Sequence, residues 1–330
     1  MLLCKASGAI MKSSDMHPDD QLMLRAKLDQ RAQFYPLGFP LQIATNSPDI
    51  LSAVEQTWGS WTQAFDRPPL EMRVIVHLDG PVPPAEPVYR AQKHLITFTG
   101  DNANFAVCDL ERGYIFSCVT PATVASGYFR AHLLETIAYL ALDYQHVTIL
   151  HAGCVVRNGR GVLLCGDPGA GKSCLSYACA TNGWKLVSDD FSAILRQPRG
   201  RMVIGRPERM RFRSTAFELF PELVGQRSEF TQFGKHMFEL YTGSLPQVQT
   251  ARCCQAETLV FLDRQDSCSP ELVPMPVEQA LAKLEFDRFY WDPPIFEEHR
   301  ERLMDLLARG VHTLRYSNFD DAIRILESLV

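Results

Sequence analysis

Apolar positions alternate with polar ones over short runs through much of the chain, and recur at helical spacing in a few longer ones. Residues 22–35, LMLRAKLDQRAQFY, carry helical spacing and predict a helix. SPDILSAVEQTWGSW predicts another, with Ser47 as N-cap and Pro48 at the first helical position. MRVIVHLD reads as a strand, and the proline-rich GPVPPAEP (80–87) must be loop. HLITFTG, NFAVCDL and GYIFSCV follow as strands, the last two joined by a turn at ERG. FRAHLLETIAYLALDY (129–144) reads as a strong amphipathic helix.

The pattern changes near residue 145. VTILHAGCVV and GVLLCG are strand-like, and the Asn158-Gly159 pair between them is a hairpin signal. A helix is expected from Lys172 to about Thr181, then a strand at WKLVSDD and a strand pair at FSAILRQ and RMVIGRP. AETLVFLDR is a further strand, VEQALAKLEFD and FEEHRERLMDLLARG are helices, and the last nineteen residues read as strand then helix. Hairpins on both sides of a strand–helix unit point to an α/β fold with a mixed sheet. The organisation expected is a disordered lead-in at 1–20, a smaller α+β region of unknown role at 21–140, and a nucleotide-binding domain at 141–330.

Composition narrows the partners. Hydrophobic residues make up 46%, charged residues 22%, and the net charge is −5, which argues against nucleic acid or an anionic membrane surface as partner. Most of the ten cysteines lie in apolar runs and none forms a C-x-x-C pair, so buried thiols in a reducing cytoplasm are expected. No stretch approaches the ~20 apolar residues of a membrane-spanning helix.

The chemistry concentrates between residues 151 and 213. Gly166-Asp167-Pro168-Gly169-Ala170-Gly171-Lys172-Ser173 fits G-x-x-x-x-G-K-[ST] between a predicted strand and a predicted helix. Glycines let backbone N–H groups wrap a phosphate, the helix N-terminus points partial positive charge at it, Lys172 reaches the β- and γ-phosphates, and Ser173 can ligate Mg²⁺. Asp189 and Asp190 end the strand WKLVS; neighbours on a strand face opposite ways, so one is expected to serve Mg²⁺ and the other to accept a proton, unless both are a solvated strand end. His151 ends VTIL, either as a structural residue or as an electrostatic partner for a catalytic carboxylate.

Two further stretches stay open. In GRPERMRFR, Arg211 and Arg213 would share one strand face, to grip an anion or a substrate, or else to pair with Glu208 and Glu218. Lys235 and His236 are a weaker pair for the same task. The aromatic run FDRFYWDPP (286–294) is packing, or a lid or substrate platform.

Taken together, LHAG, GDPGAGKS and LVSDD resemble the catalytic domain of HPr kinase/phosphorylase and its relatives. The intervals match too: 21 residues from His151 to Lys172 and 17 from Lys172 to Asp189. The resemblance covers about residues 145–196 and implies a P-loop kinase core of the HPr kinase/phosphoenolpyruvate carboxykinase type. It implies Asp189 as the acid/base acting on a serine hydroxyl, tuned by His151. Lys172 and the loop would hold ATP, and Ser173 and Asp190 would serve Mg²⁺. Cys174 departs from the acidic residue that the family carries after the loop serine, and the glycine-rich segment tied to phosphorylase activity has no counterpart. The expectation is therefore an ATP-dependent, Mg²⁺-using kinase with its own hydroxyl-bearing acceptor, a protein serine or a small molecule. A homo-oligomer is compatible with this, and so is a nucleotide-binding regulatory module without efficient transfer.

Overall fold

The structure, a computed structural model, describes residues 26–77, 79–226, 228–232, 235–285 and 292–330. The expected lead-in and most of the aromatic run lie outside them, as do the side chains of Lys235 and His236. The chain divides into two compact units, 1–145 and 146–330.

The first unit is built on a seven-stranded mixed sheet. Its strands are β1 (Gln30–Phe34), β2 (Leu41–Thr45), β3 (Leu70–Val76), β4 (Val88–Gln92), β5 (Leu95–Thr99), β6 (Phe105–Asp109) and β7 (Tyr114–Val119), in the order β1-β2-β3-β7-β6-β5-β4. Helix α1 (Pro48–Trp58) starts as expected, with the Ser47 hydroxyl accepting from the Asp49 amide. The short α2 (Pro121–Val124) is capped in the same way by Thr120. The helix expected over 22–35 is corrected: residues 30–34 are a strand paired antiparallel to β2, because that partner outweighs local helical spacing. The helix at 129–144 is not amphipathic. It opens with a π-helical turn, Phe129–Glu135, in which the Thr136 hydroxyl bonds the Ala131 carbonyl five residues back. Both this turn and α3 (Thr136–Gln145) are buried nearly all round.

The second unit carries the motifs. Strands β8 (Val147–Leu150), β9 (Gly153–Arg157) and β10 (Arg160–Cys165) precede helix α4 (Lys172–Thr181). Next come β11 (Lys185–Ser188), β12 (Ser192–Leu195), β13 (Met202–Gly205), β14 (Arg209–Phe212), α5 (Ala216–Leu219), β15 (Ser228–Gln232) and β16 (Lys235–Tyr241). The long β17 (Cys253–Arg264), β18 (Glu271–Pro274), α6 (Val277–Glu285), α7 (Pro293–Leu307), β19 (Val311–Tyr316) and α8 (Phe319–Glu327) complete it. Asn158 and Gly159 turn β9 into β10 with positive φ at both positions, 52° and 78°, as a type I′ hairpin requires.

Strand β10 lies antiparallel to β9 and parallel to β17, which is parallel to β19. Because β11 is also antiparallel to β9, the C-terminal ends of β10, β11, β17 and β19 meet the start of β9 at one edge. Side chains of β10 alternate between two cores. Val162 and Leu164 pack with Leu175 and Cys179 of α4 and Leu326 of α8. Leu163 and Cys165 pack with Leu281 of α6 and Leu303 and Leu306 of α7. A separate three-stranded sheet, β14-β16-β15, covers a third side of α4, with Met210, Phe212 and Leu240 against Tyr177 and Ala180.

One close approach ties β13 to β11. A Cβ at Gly205 would lie 2.0 Å from the Val187 carbonyl oxygen, so backbone would have to move. Gly205→Ala is expected to destabilise this unit by about 1–3 kcal/mol, read as a lowered midpoint in denaturant unfolding.

Candidate active site

The loop between β10 and α4 has the conformation that its glycines permit. Gly169 and Gly171 take φ of +100° and +95°, and Gly171 caps α4 in the left-handed region, where a β-carbon is costly. Residues 167–169 are exposed, and α4 begins at Lys172 with its first amides facing the loop. Lys172 is 6% exposed. Its Nζ donates to the Gly166 carbonyl at 2.6 Å and reaches the Asp167 carbonyl at 3.4 Å, so the ammonium is folded back over the loop. The Tyr316 hydroxyl donates to the Ala170 carbonyl at 3.5 Å, which ties the end of β19 to the loop.

The acidic pair sits just past the end of β11, in a bend rather than in the strand. The expectation that the two side chains face opposite ways is therefore corrected: strand alternation stops at Ser188. The Asp190 carboxyl lies within hydrogen-bonding reach of Asp189. Asp189 is buried and Asp190 half-buried. Burial first, and then the charge of Asp190, push the Asp189 carboxyl well above the usual carboxylate range. The Arg211 backbone amide opposes this by donating to Asp189 Oδ2 at 2.7 Å.

His151 lies in the turn between β8 and β9 and is exposed. Two residues on, β9 starts against the acid, since a Cβ at Gly153 would stand 3.0 Å from the Asp189 carbonyl oxygen. The chain thus brings the β8–β9 turn, the loop and the acidic pair to one edge.

No protein-family profile matches the chain, and no curated protein matches it in sequence. Among solved structures, the HPr(Ser) kinase/phosphatase from Coxiella burnetii is similar over 55% of this chain and 93% of its own, at 15% identity and a TM-score of 0.29.

The arginines divide differently from the expectation. Strand β14 ends at Phe212, so its polar face carries Arg209 and Arg211. Both bind Glu239 of β16, Arg209 through Nη1 at 2.9 Å and Arg211 through Nε at 3.2 Å. That carboxylate, and not Glu218, is their partner; Glu208 pairs instead with Arg252. Arg213 lies beyond the strand and is exposed, with its Nη1 3.4 Å from the place of a Cβ on Gly169. Its guanidinium therefore rests against the crest of the loop.

Arg264 escaped the sequence reading. It ends β17, the parallel neighbour of β10, and is exposed beside the loop. The available signal was an apolar run closing on a basic residue, since ligands gather at the C-terminal ends of parallel strands. Among the described residues no cluster of three or more His, Cys, Asp or Glu fits a metal ion. A hydroxyl and one carboxylate, as in Ser173 and Asp190, suit an ion that keeps waters and shares a substrate's phosphates.

A buried acid with a raised proton affinity costs stability once ionised. The folded chain holds the Asp189 proton more tightly than the unfolded chain, so stability from this group is full below about pH 4 and declines as pH rises through the raised value. Asp189→Asn keeps an acceptor for the Arg211 amide and cannot ionise. The variant is expected to melt a few degrees above the parent at pH 8, at about 2–4 °C per kcal/mol. The difference should shrink toward pH 4, as followed by calorimetry.

Proposed function

We propose that the protein is an ATP-dependent kinase that transfers the γ-phosphate to a hydroxyl, on a protein serine or a small molecule, and that it works in the cytoplasm. The observation that carries this is the placement of the loop, with Lys172 folded over it, and the buried carboxyl of Asp189 at one strand edge. A protein that only held nucleotide would need the loop and the lysine, not the acid.

The residues divide the work by their chemistry. Loop amides and the α4 N-terminus hold the phosphate chain, and Lys172 turns from the Gly166 carbonyl to the β- and γ-phosphates. Ser173 and Asp190 would hold Mg²⁺, which neutralises charge on the phosphates. Arg213, exposed at Gly169 and free of ion-pair partners among the described residues, stabilises charge on the transferring group. Ionised Asp189 takes the proton from the acceptor hydroxyl while that oxygen bonds to the γ-phosphorus. The bond from that phosphorus to the β–γ bridging oxygen breaks, and ADP leaves. Arg211 acts on Asp189 through its amide and through the charge of its guanidinium, which is paired with Glu239.

One observation favours the other reading, a nucleotide-binding module without efficient transfer. Burial and the neighbouring Asp190 raise the proton affinity of the Asp189 carboxyl, which works against its acting as a base. The pH dependence separates the two. For a kinase, the acid limb of the transfer rate should lie above the ordinary carboxylate range and vanish with Asp189→Asn.

Purified protein with γ-labelled ATP and Mg²⁺ would be offered serine, HPr and a cell extract. Lys172→Ala should abolish nucleotide binding. Asp189→Asn should keep binding and lose transfer by about 10²–10⁴-fold, and Arg213→Ala should slow transfer while sparing ADP affinity. Label that never leaves ATP except to water, at equal rates in parent and Asp189→Asn, would leave only the binding module.

A further inference from the structure

The first unit carries a group of polar side chains that the kinase reading leaves unused. His132 lies in the π-helical turn, 4% exposed, against two tyrosines. Its Nδ1 is 3.4 Å from the Tyr89 hydroxyl, and its ring centroid is 4.8 Å from that of Tyr128. Tyr89 belongs to β4, the edge strand of the seven-stranded sheet, and is 39% exposed. The cluster therefore opens to solvent along that edge. A π-turn inserted into an α-helix is frequent at functional sites.

Tyr128 brings a hydroxyl that is buried without a hydrogen-bond partner among the described residues. That oxygen stands 2.5 Å from the place of a Cβ on Gly100, and Pro83 of the proline-rich loop meets the same point at 2.9 Å. A side chain at residue 100 would displace one of them. A buried hydroxyl left unpaired is costly, and a bound donor would satisfy it.

Charge selects the ligand. Glu86 is half-buried two residues before β4, and its charge acts on Tyr89, Tyr128 and His132 alike. No ion pair occupies it among the described residues. Asp101 also acts on Tyr128 but is already engaged, accepting from the Ala103 and Asn104 amides and from Asn104 Nδ2. Arg130, two residues from Tyr128, reaches Glu135 at 3.4 Å. Burial holds His132 below its ordinary value, with Glu86 opposing in part, so an uncharged imidazole is favoured and a cation is not repelled. An unpaired carboxylate beside two tyrosine rings and their oxygens suits a cation that can also donate hydrogen bonds.

We propose that Glu86, Tyr89, Tyr128 and His132 form a second binding site, for a primary ammonium group. Glu86 supplies the counter-charge, the tyrosine rings supply cation–π contact, and the Tyr128 oxygen accepts an ammonium N–H. The ammonium belongs to a free amine or to a lysine side chain of another protein, the same chemistry from two sources. The site draws nothing from the nucleotide loop and stands apart from the kinase reading.

Calorimetric titration of the full chain with putrescine, n-butylammonium and Nα-acetyl-lysinamide tests it, using the parent, Glu86→Gln and Tyr128→Phe. The parent should bind at least one amine, and n-butanol, of the same shape without the charge, should not bind. Glu86→Gln should weaken amine binding by about tenfold or more. Tyr128→Phe should weaken it by a smaller factor, while ligand-free unfolding is unchanged or raised, since the hydroxyl lost had no partner. Tighter binding of lysinamide than of putrescine would assign the site to a protein lysine, and the reverse to a free amine. A parent that binds no amine would overturn the proposal, as would equal affinity in Glu86→Gln or equal binding of n-butanol. Should Glu86→Gln fail to fold, the Tyr128→Phe and n-butanol comparisons decide alone.

Discussion

The charged edge depends on strand β10 being paired on both sides. Its antiparallel partner β9 returns through a two-residue turn and delivers the His151–Gly153 segment. Its parallel partner β17 points the same way and delivers Arg264. Burial on both faces holds β10 in place, with Val162 and Leu164 in one core and Leu163 and Cys165 in the other. A one-residue slip would exchange these sets and carry the loop away from Asp189.

Within that frame Asp189 is the energetically expensive group. A carboxyl 3% exposed, beside a second carboxyl, is disfavoured as an anion, and the amide and the charge of Arg211 compensate only in part. The same amide joins the three-stranded sheet to the edge of the larger one. Glu239 of β16 holds the arginine face of β14. Through these two contacts β14 is fixed, and Arg213 just beyond it is carried to the loop.

Local features were legible in the sequence. The Ser47 cap, the Asn158-Gly159 turn, the bounds of α4 and the strand–loop–helix around Gly166–Ser173 all follow from short-range chemistry. Non-local features were not. The pairing of Arg209 and Arg211 with Glu239 requires knowing that β14 lies beside β16 in a particular register. The strand at 30–34 depends on a partner at 41–45. The relation of Asp189 to Asp190 turned on where β11 stops, a difference of one residue that decides whether alternation applies. Arg264 was invisible for a similar reason: nothing in LVFLDR says which strand lies next to it.

The parallel pairing has a consequence for how the molecule comes into being. Leu163 and Leu259 face each other across β10 and β17, 96 residues apart in sequence, and Tyr316 meets the loop from farther still. A growing chain that has emerged as far as Asp190 carries the loop and the acidic pair on β9, β10 and β11, but lacks β17 and the Tyr316 contact with the loop. Closing that long a loop is slow compared with forming a hairpin or a helix. The site is complete only when β17 and β19 are in place, and a chain cut before β17 would keep the motif without the strand that flanks it.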